Sequence, residues 1–176
     1  MQAYAEWVSR NLLLSAAIQF GILGTLGEII SIYIKRSKIS TMGNPIQFIL
    51  KILAWAVMGI VIKYGFTGMK GFTDTLISKG LLFNMKHGTL AWAFFMSLFT
   101  NLFFGPQMML FHRLEENFIM WKWSFSGIKN AWFTLIWFWI PAHTLTFMLP
   151  AEYQIGLAAL WSVALGIIMG ISSQKS

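Results

Sequence analysis

Residues 11–34 read NLLLSAAIQFGILGTLGEIISIYI, and this stretch decides the fold because it carries an acid where acids are costly. At ~1.5 Å per residue it is long enough to cross a hydrocarbon core of ~30 Å as one helix. Glu28 lies six residues before its far end, which places the carboxylate inside the hydrocarbon. An acid at that depth costs roughly 2.5–3.5 kcal/mol on insertion scales and needs a partner, a proton or water. Helical spacing puts Gly21, Gly24, Thr25 and Glu28 on one face with almost no side-chain bulk. A second helix can approach such a face closely, so Glu28 is expected to point into a helix bundle and not into lipid.

The next helix supplies the partner. Lys35, Arg36 and Lys38 precede a turn ending in Gly43-Asn44-Pro45, and Pro suits the first turn of a helix. The second span is expected over residues 46–64, with Lys51 six residues inside it. Equal distances from a shared turn mean equal depth, so the hairpin would bring Glu28 and Lys51 together. The alternative is that Lys51 snorkels to the interface while Glu28 is protonated.

Composition agrees with a membrane protein. The chain has 176 residues, 57% hydrophobic and 11% charged, against about 25% charged in a soluble domain. It is read as one domain, residues 1–176, an all-α polytopic transmembrane helix bundle. Without cysteine there is no disulfide, thiolate or Cys-based zinc chemistry. The net charge of +7 is assigned to Lys and Arg near membrane faces and not to nucleic acid. The first ten residues resemble neither a signal peptide nor a transit peptide.

Five spans are expected, or four if one aromatic segment only dips into the membrane. Residues 65–87 are too polar to span and are expected as an interfacial helix between spans two and three. In the third span, 88–111, Ser97, Asn101, Gly105, Met108 and His112 share one side near Pro106. Residues 112–116, HRLEE, are expected to leave the membrane as a solvated charged face. Trp121, Lys122 and Trp123 have the composition of an interface anchor. The fourth span, 131–149, is the aromatic one, with Trp139, His143 and Thr146 on one face beside Pro141. The fifth, 155–171, carries Ala158, Ser162, Gly166 and Gly170 at intervals of four, a packing row for a neighbour within the chain or for a homo-oligomer. With five spans one face collects eight cations and the other five, which favours N-out and C-in.

Three blocks resemble the Mpv-seventeen/peroxisomal membrane protein twenty-two family. Phe20-Gly21-Ile22-Leu23-Gly24-Thr25-Leu26-Gly27-Glu28 is similar to its Ala-Gly-x-Leu-x-Gly-x-Gly-Asp opening. Lys79-Gly80-Leu81-Leu82-Phe83-Asn84 is similar to its Lys-x-x-x-x-Asp-Gln segment, and Trp139-x-x-x-His143-x-x-Thr146-Phe147-x-x-Pro150 to its Trp-Pro-x-x-Gln-x-x-Asn-Phe signature. The chain departs from the pattern at Glu28, Ile32, His143, Thr146 and Gln154, and Gly105-Pro106 falls on the third span instead of the second. The resemblance implies a divergent, bacterial-type member and a channel for small solutes in a bacterial inner membrane, or in mitochondrial inner or peroxisomal membranes.

The expected function is a channel or transporter passing small polar or anionic solutes, with the lipid bilayer as its other partner. Glu28, Lys51, Asn101, His112, His143 and Thr146 are the candidate pore-lining or solute-binding residues. Gly21, Gly24, Ser162, Gly166 and Gly170 are the candidate helix-packing residues. Lys35, Arg36 and Lys38 would form a vestibule that concentrates anions. A structural membrane subunit or assembly factor is the alternative. No catalytic motif is present, and no metal or cofactor site is expected.

Overall fold

The computed structural model describes residues 2–35 and 42–172, apart from the side chains of residues 169, 170 and 172. Arg36, Lys38 and Lys175 therefore lie outside the described residues, as do the surroundings of Gly170. Among the described residues the chain is helical and contains no strand. The helices are α1 (Gln2–Arg10), α2 (Leu12–Ile34), α3 (Pro45–Ser78), α4 (Leu90–Phe99), α5 (Gly105–Met120), α6 (Ile128–Thr134), α7 (Ile140–Phe147) and α8 (Ala151–Ser172). A π turn, Thr100–Phe104, joins α4 to α5, and a second, Leu135–Trp139, joins α6 to α7.

Four helices are long and apolar enough to cross a membrane: Leu12–Ile34, Pro45–Ser78, Leu90–Met120 and Ala151–Ile168. Their outward faces are apolar, with Ile22, Ile46, Ile49, Leu53, Leu102 and Leu160 all exposed. A contiguous surface of that kind is unsuited to water and suited to acyl chains. The aromatic segment also forms one helical run, from α6 through its π turn to α7, but its Trp, Thr, His and Pro residues leave it less apolar than these four.

Helix α2 is the axis of the bundle, packed along its length against α3 on one side and α8 on the other. Its small residues make both contacts. A Cβ on Gly21 would rest in ordinary contact with Ala56 of α3 at 3.6 Å. On the other side, a Cβ on Gly27 would meet the Val163 backbone at 3.2 Å, and one on Gly166 would meet the Gly27 carbonyl oxygen at 2.7 Å. Ser162 and Gly166 are thus engaged within the chain, against α2. Phe20, Phe66, Trp92, Met96, Phe147 and Ile155 form the apolar core.

Two expectations are corrected. No separate interfacial helix forms over 65–87, because α3 continues unbroken to Ser78. At ~1.5 Å per residue its 34 residues reach ~51 Å, well beyond the hydrocarbon thickness. The polar residues that argued against a helix there lie largely on its outward side, while Thr73 is fully buried and Asp74 accepts the Trp92 indole N–H at 2.8 Å. Nor does 112–116 leave the bundle: α5 runs on to Met120, and its charged residues turn toward α3.

The turns follow their local chemistry. Asn44 caps α3 through a reciprocal box with Gln47, and Pro45 opens the helix. Gln47 Nε2 also donates to the Ile119 carbonyl at 3.0 Å, which ties the start of α3 to the end of α5. Trp121 and Trp123 stand exposed beyond that end, as interface anchors would.

Candidate functional site

The Glu28–Lys51 pair forms as the hairpin geometry demands. Lys51 Nζ lies 3.0 Å from Glu28 Oε2, and Lys51 is almost fully buried. The other oxygen, Glu28 Oε1, accepts the Trp55 indole N–H at 2.9 Å. Trp55 sits one turn beyond Lys51, so α3 presents both donors from one face. Its ring lies across Gly24, where any Cβ would intrude into the indole. Gly24 is therefore a seat for the donor as well as a point of close helix approach.

The network continues past the pair. Lys51 Nζ is 3.8 Å from Glu116 Oε1, and Glu116 Oε2 accepts from Arg113 Nη1 at 2.9 Å. Glu28, Lys51, Glu116 and Arg113 thus alternate in sign and sum to zero. A neutral row is the arrangement that lets four charges sit together in a poorly hydrated place. Lys51-x-x-x-Trp55 and the (i, i+3) pair Arg113–Glu116 were visible in the sequence as spacings. Their convergence on Glu28 needed the packing of α5 against α3.

Glu28 also faces open space. A cavity of about 390 Å³ runs beside α2 from Lys35 to Phe20, with Glu28, Ser31, Trp55, His112 and Arg113 in its wall. Fifteen residues of α2 separate its ends, roughly 22 Å of helix. His112 packs its ring on Trp55 at 4.7 Å. One wall therefore carries a carboxylate, two cations, an imidazole and an indole.

A second, smaller pocket of about 80 Å³ lies deeper, lined by Asn101, His143, Thr100, Phe104, Leu135 and Trp139 among others. Phe20, Ile62, Met108, Met109 and Trp139 belong to both walls and stand between the two spaces. Asn101 Nδ2 donates to the Ser97 carbonyl at 2.8 Å and approaches His143 Nδ1 at 3.2 Å.

The six candidate residues therefore divide. Glu28 and His112 line the larger cavity, Asn101 and His143 the smaller. Lys51 lies behind Glu28 in the ion network. Thr146 lines neither space: it is fully buried, donates to the Ala142 carbonyl at 2.9 Å and accepts the Trp161 indole N–H at 3.1 Å. Trp55, Glu116, Arg113 and Trp139 join the site from outside the sequence-derived set. Among the described residues no three His, Asp or Glu side chains gather as a metal site.

Replacing Trp55 by Phe keeps a ring over Gly24 and removes the N–H to Glu28. The expected loss is roughly 1.5 kcal/mol of stability, the lower end for a hydrogen bond to a charged group, because Glu28 still faces the cavity. Unfolding of the detergent-solubilised protein measures it, and an unchanged midpoint would show that the indole does not hold the acid.

Compared with family models, curated proteins and solved structures, the chain finds no match. The chemistry of the site rests on its own residues.

Proposed function

We infer that this protein is an integral membrane channel or transporter that passes small polar solutes through its helix bundle. The observation that carries this reading is the cavity of about 390 Å³ that reaches Glu28 from the Lys35 end of α2. A helix interface made only for cohesion closes on its polar groups. Here one face of the acid is held by Lys51 and Trp55 and the other faces open space. Lys35 and Arg113 at the cavity wall draw solutes that carry negative or partial negative charge, and Glu28 sets the local field farther in.

In this reading the aromatic run from α6 to α7 is a fifth span, with the termini on opposite faces of the bilayer. The excess of cations on the Lys35 face then orients that face inward, with N-out and C-in, in a bacterial inner membrane. This is also the layout that the family resemblance implies.

Reconstituted into liposomes, the wild-type chain is expected to admit small polar solutes faster than protein-free vesicles. Glu28→Gln removes the charge beside the cavity while keeping an acceptor for Trp55, and should change the relative rates of anionic and neutral solutes several-fold. Flux no faster than in empty vesicles would remove the channel reading. The structural-subunit reading draws on the full use of both Glu28 oxygens, and it predicts that Glu28→Gln alters stability alone.

A further inference from the structure

The deeper pocket differs from the outer cavity in one chemical respect: no Lys, Arg, Asp or Glu lines it. Its polar groups come from two places where the helix ladder is deliberately irregular. Thr100, Asn101 and Phe104 belong to the first π turn, and Leu135 and Trp139 to the second. Each turn is followed, after one residue, by a proline, Pro106 and Pro141. Proline withdraws a backbone donor, and a π turn absorbs the shift of register that follows. Both irregularities wall the same pocket. Single π turns inside α-helices recur at functional sites.

Two of the polar atoms are left over. Asn101 is 2% exposed, and its amide nitrogen is fixed by donation to the Ser97 carbonyl. The opposite amide orientation would set two oxygens against each other, so Oδ1 is the free end. That oxygen has no hydrogen-bond partner among the described residues, and neither has the buried Trp139 Nε1. With Asn101 Nδ2 donating to His143 Nδ1, the imidazole carries its proton on Nε2. The pocket is thus an apolar chamber holding an unpaired acceptor and an unpaired donor. Leaving either one buried and unsatisfied is costly.

We propose that this chamber binds a small uncharged solute bearing both a hydrogen-bond donor and an acceptor, of the size and chemistry of a simple amide. Asn101 Oδ1 takes the solute's N–H and Trp139 Nε1 donates to its carbonyl. A volume of about 80 Å³ suits a solute of about four heavy atoms, or two to three waters at roughly 30 Å³ each. An ion entering it would lose its hydration and meet no opposite charge. Charged solutes therefore stop at the Glu28 cavity, and the deeper chamber sets which of them go no further. The transport consequence rests on the channel reading above; the binding does not.

The test uses the full chain in lipid nanodiscs and two probes of nearly equal shape, acetamide and acetate, at neutral pH. Saturation-transfer NMR reads the binding of each. Saturable acetamide binding is expected, with none for acetate, and Trp139→Phe should weaken acetamide by about tenfold, the equivalent of one lost hydrogen bond. Phe keeps the ring packing on His143, so this variant remains folded where Asn101→Leu does not. Acetate binding as strong as acetamide, or wild-type affinity in Trp139→Phe, overturns the assignment. So does the absence of acetamide binding, which would mean that the chamber holds water only. Acetamide influx into liposomes is measured on the same preparation. Binding without influx refutes the channel and leaves the chamber standing, while influx without binding refutes the chamber alone.

Discussion

Lys51→Met should be among the most damaging single substitutions in the chain, lowering stability by roughly 3–5 kcal/mol. Lys51 is the only cation within 4 Å of Glu28 among the described residues, and it also bridges to Glu116 at 3.8 Å. Met fills nearly the same volume, so the loss isolates charge from packing. Two carboxylates would then face each other with Arg113 as their sole described counter-ion, bound to Glu116 and not to Glu28. In a chain of this length such a change moves the melting temperature by on the order of 10 °C. The double variant Glu28→Gln/Lys51→Met should recover part of that loss, because removing both charges of a buried pair costs far less than removing one. Unfolding of the four proteins of this cycle in one detergent gives the coupling energy. If Lys51→Met lay within 0.5 kcal/mol of wild type, as rough surface substitutions do, the ammonium would be reaching water instead of the acid.

The second large effect concerns a glycine in the opposite half of the same helix pair. A Cβ on Gly59 would overlap the Ala16 carbonyl oxygen and come within 2.8 Å of Phe20 Cβ. The obstacle is backbone, which cannot swing aside, so Gly59→Val must push α3 away from α2. Overpacking of this kind costs roughly 1–3 kcal/mol. The displacement also carries Lys51 and Trp55 away from Glu28, which puts the expected loss toward the upper end. Gly68 lies on the same helix with nothing within 4 Å of the corresponding position. Gly68→Ala should therefore be neutral or stabilising by up to about 1 kcal/mol, the helix-propensity gain. Opposite signs for two glycines nine residues apart, read from the same unfolding assay, are the expected outcome. Equal effects would place the α2–α3 contact elsewhere.

The repeated echo in the sequence, Gly65, Gly68 and Gly71 before Asp74 against Gly21, Gly24 and Gly27 before Glu28, is met only in part. Asp74 does find an indole donor in Trp92, as Glu28 does in Trp55. The glycines differ: Gly24 and Gly27 lie against neighbouring helices, whereas Gly68 and Gly71 have open space beside them. A shared spacing puts residues on one face; whether a neighbour covers that face is decided elsewhere in the chain.

That contrast marks what the sequence determined alone. Hydropathy and the low charge content dictated long apolar helices, and the position of Glu28 and Lys51 about a common turn dictated their meeting. Both are local properties: a helix rises by a fixed amount per residue, so depth can be counted from the turn. Gly21 and Gly24 were legible for the same reason, as a face without bulk. Residues 65–78 were not, because averaged polarity hides which side of a helix the polar groups occupy, and α3 keeps Thr73 inward while continuing to Ser78. Glu116 and Arg113 were misplaced in solvent because their partner, Lys51, lies more than sixty residues away in sequence. The two π turns shift the helix register between Asn101 and α5 and between Trp139 and α7, and an ideal periodicity of 3.6 misses such a shift. Which polar groups share a chamber, and which are left without a partner inside it, depends on how five helical segments pack in three dimensions. Only the tertiary structure decides that.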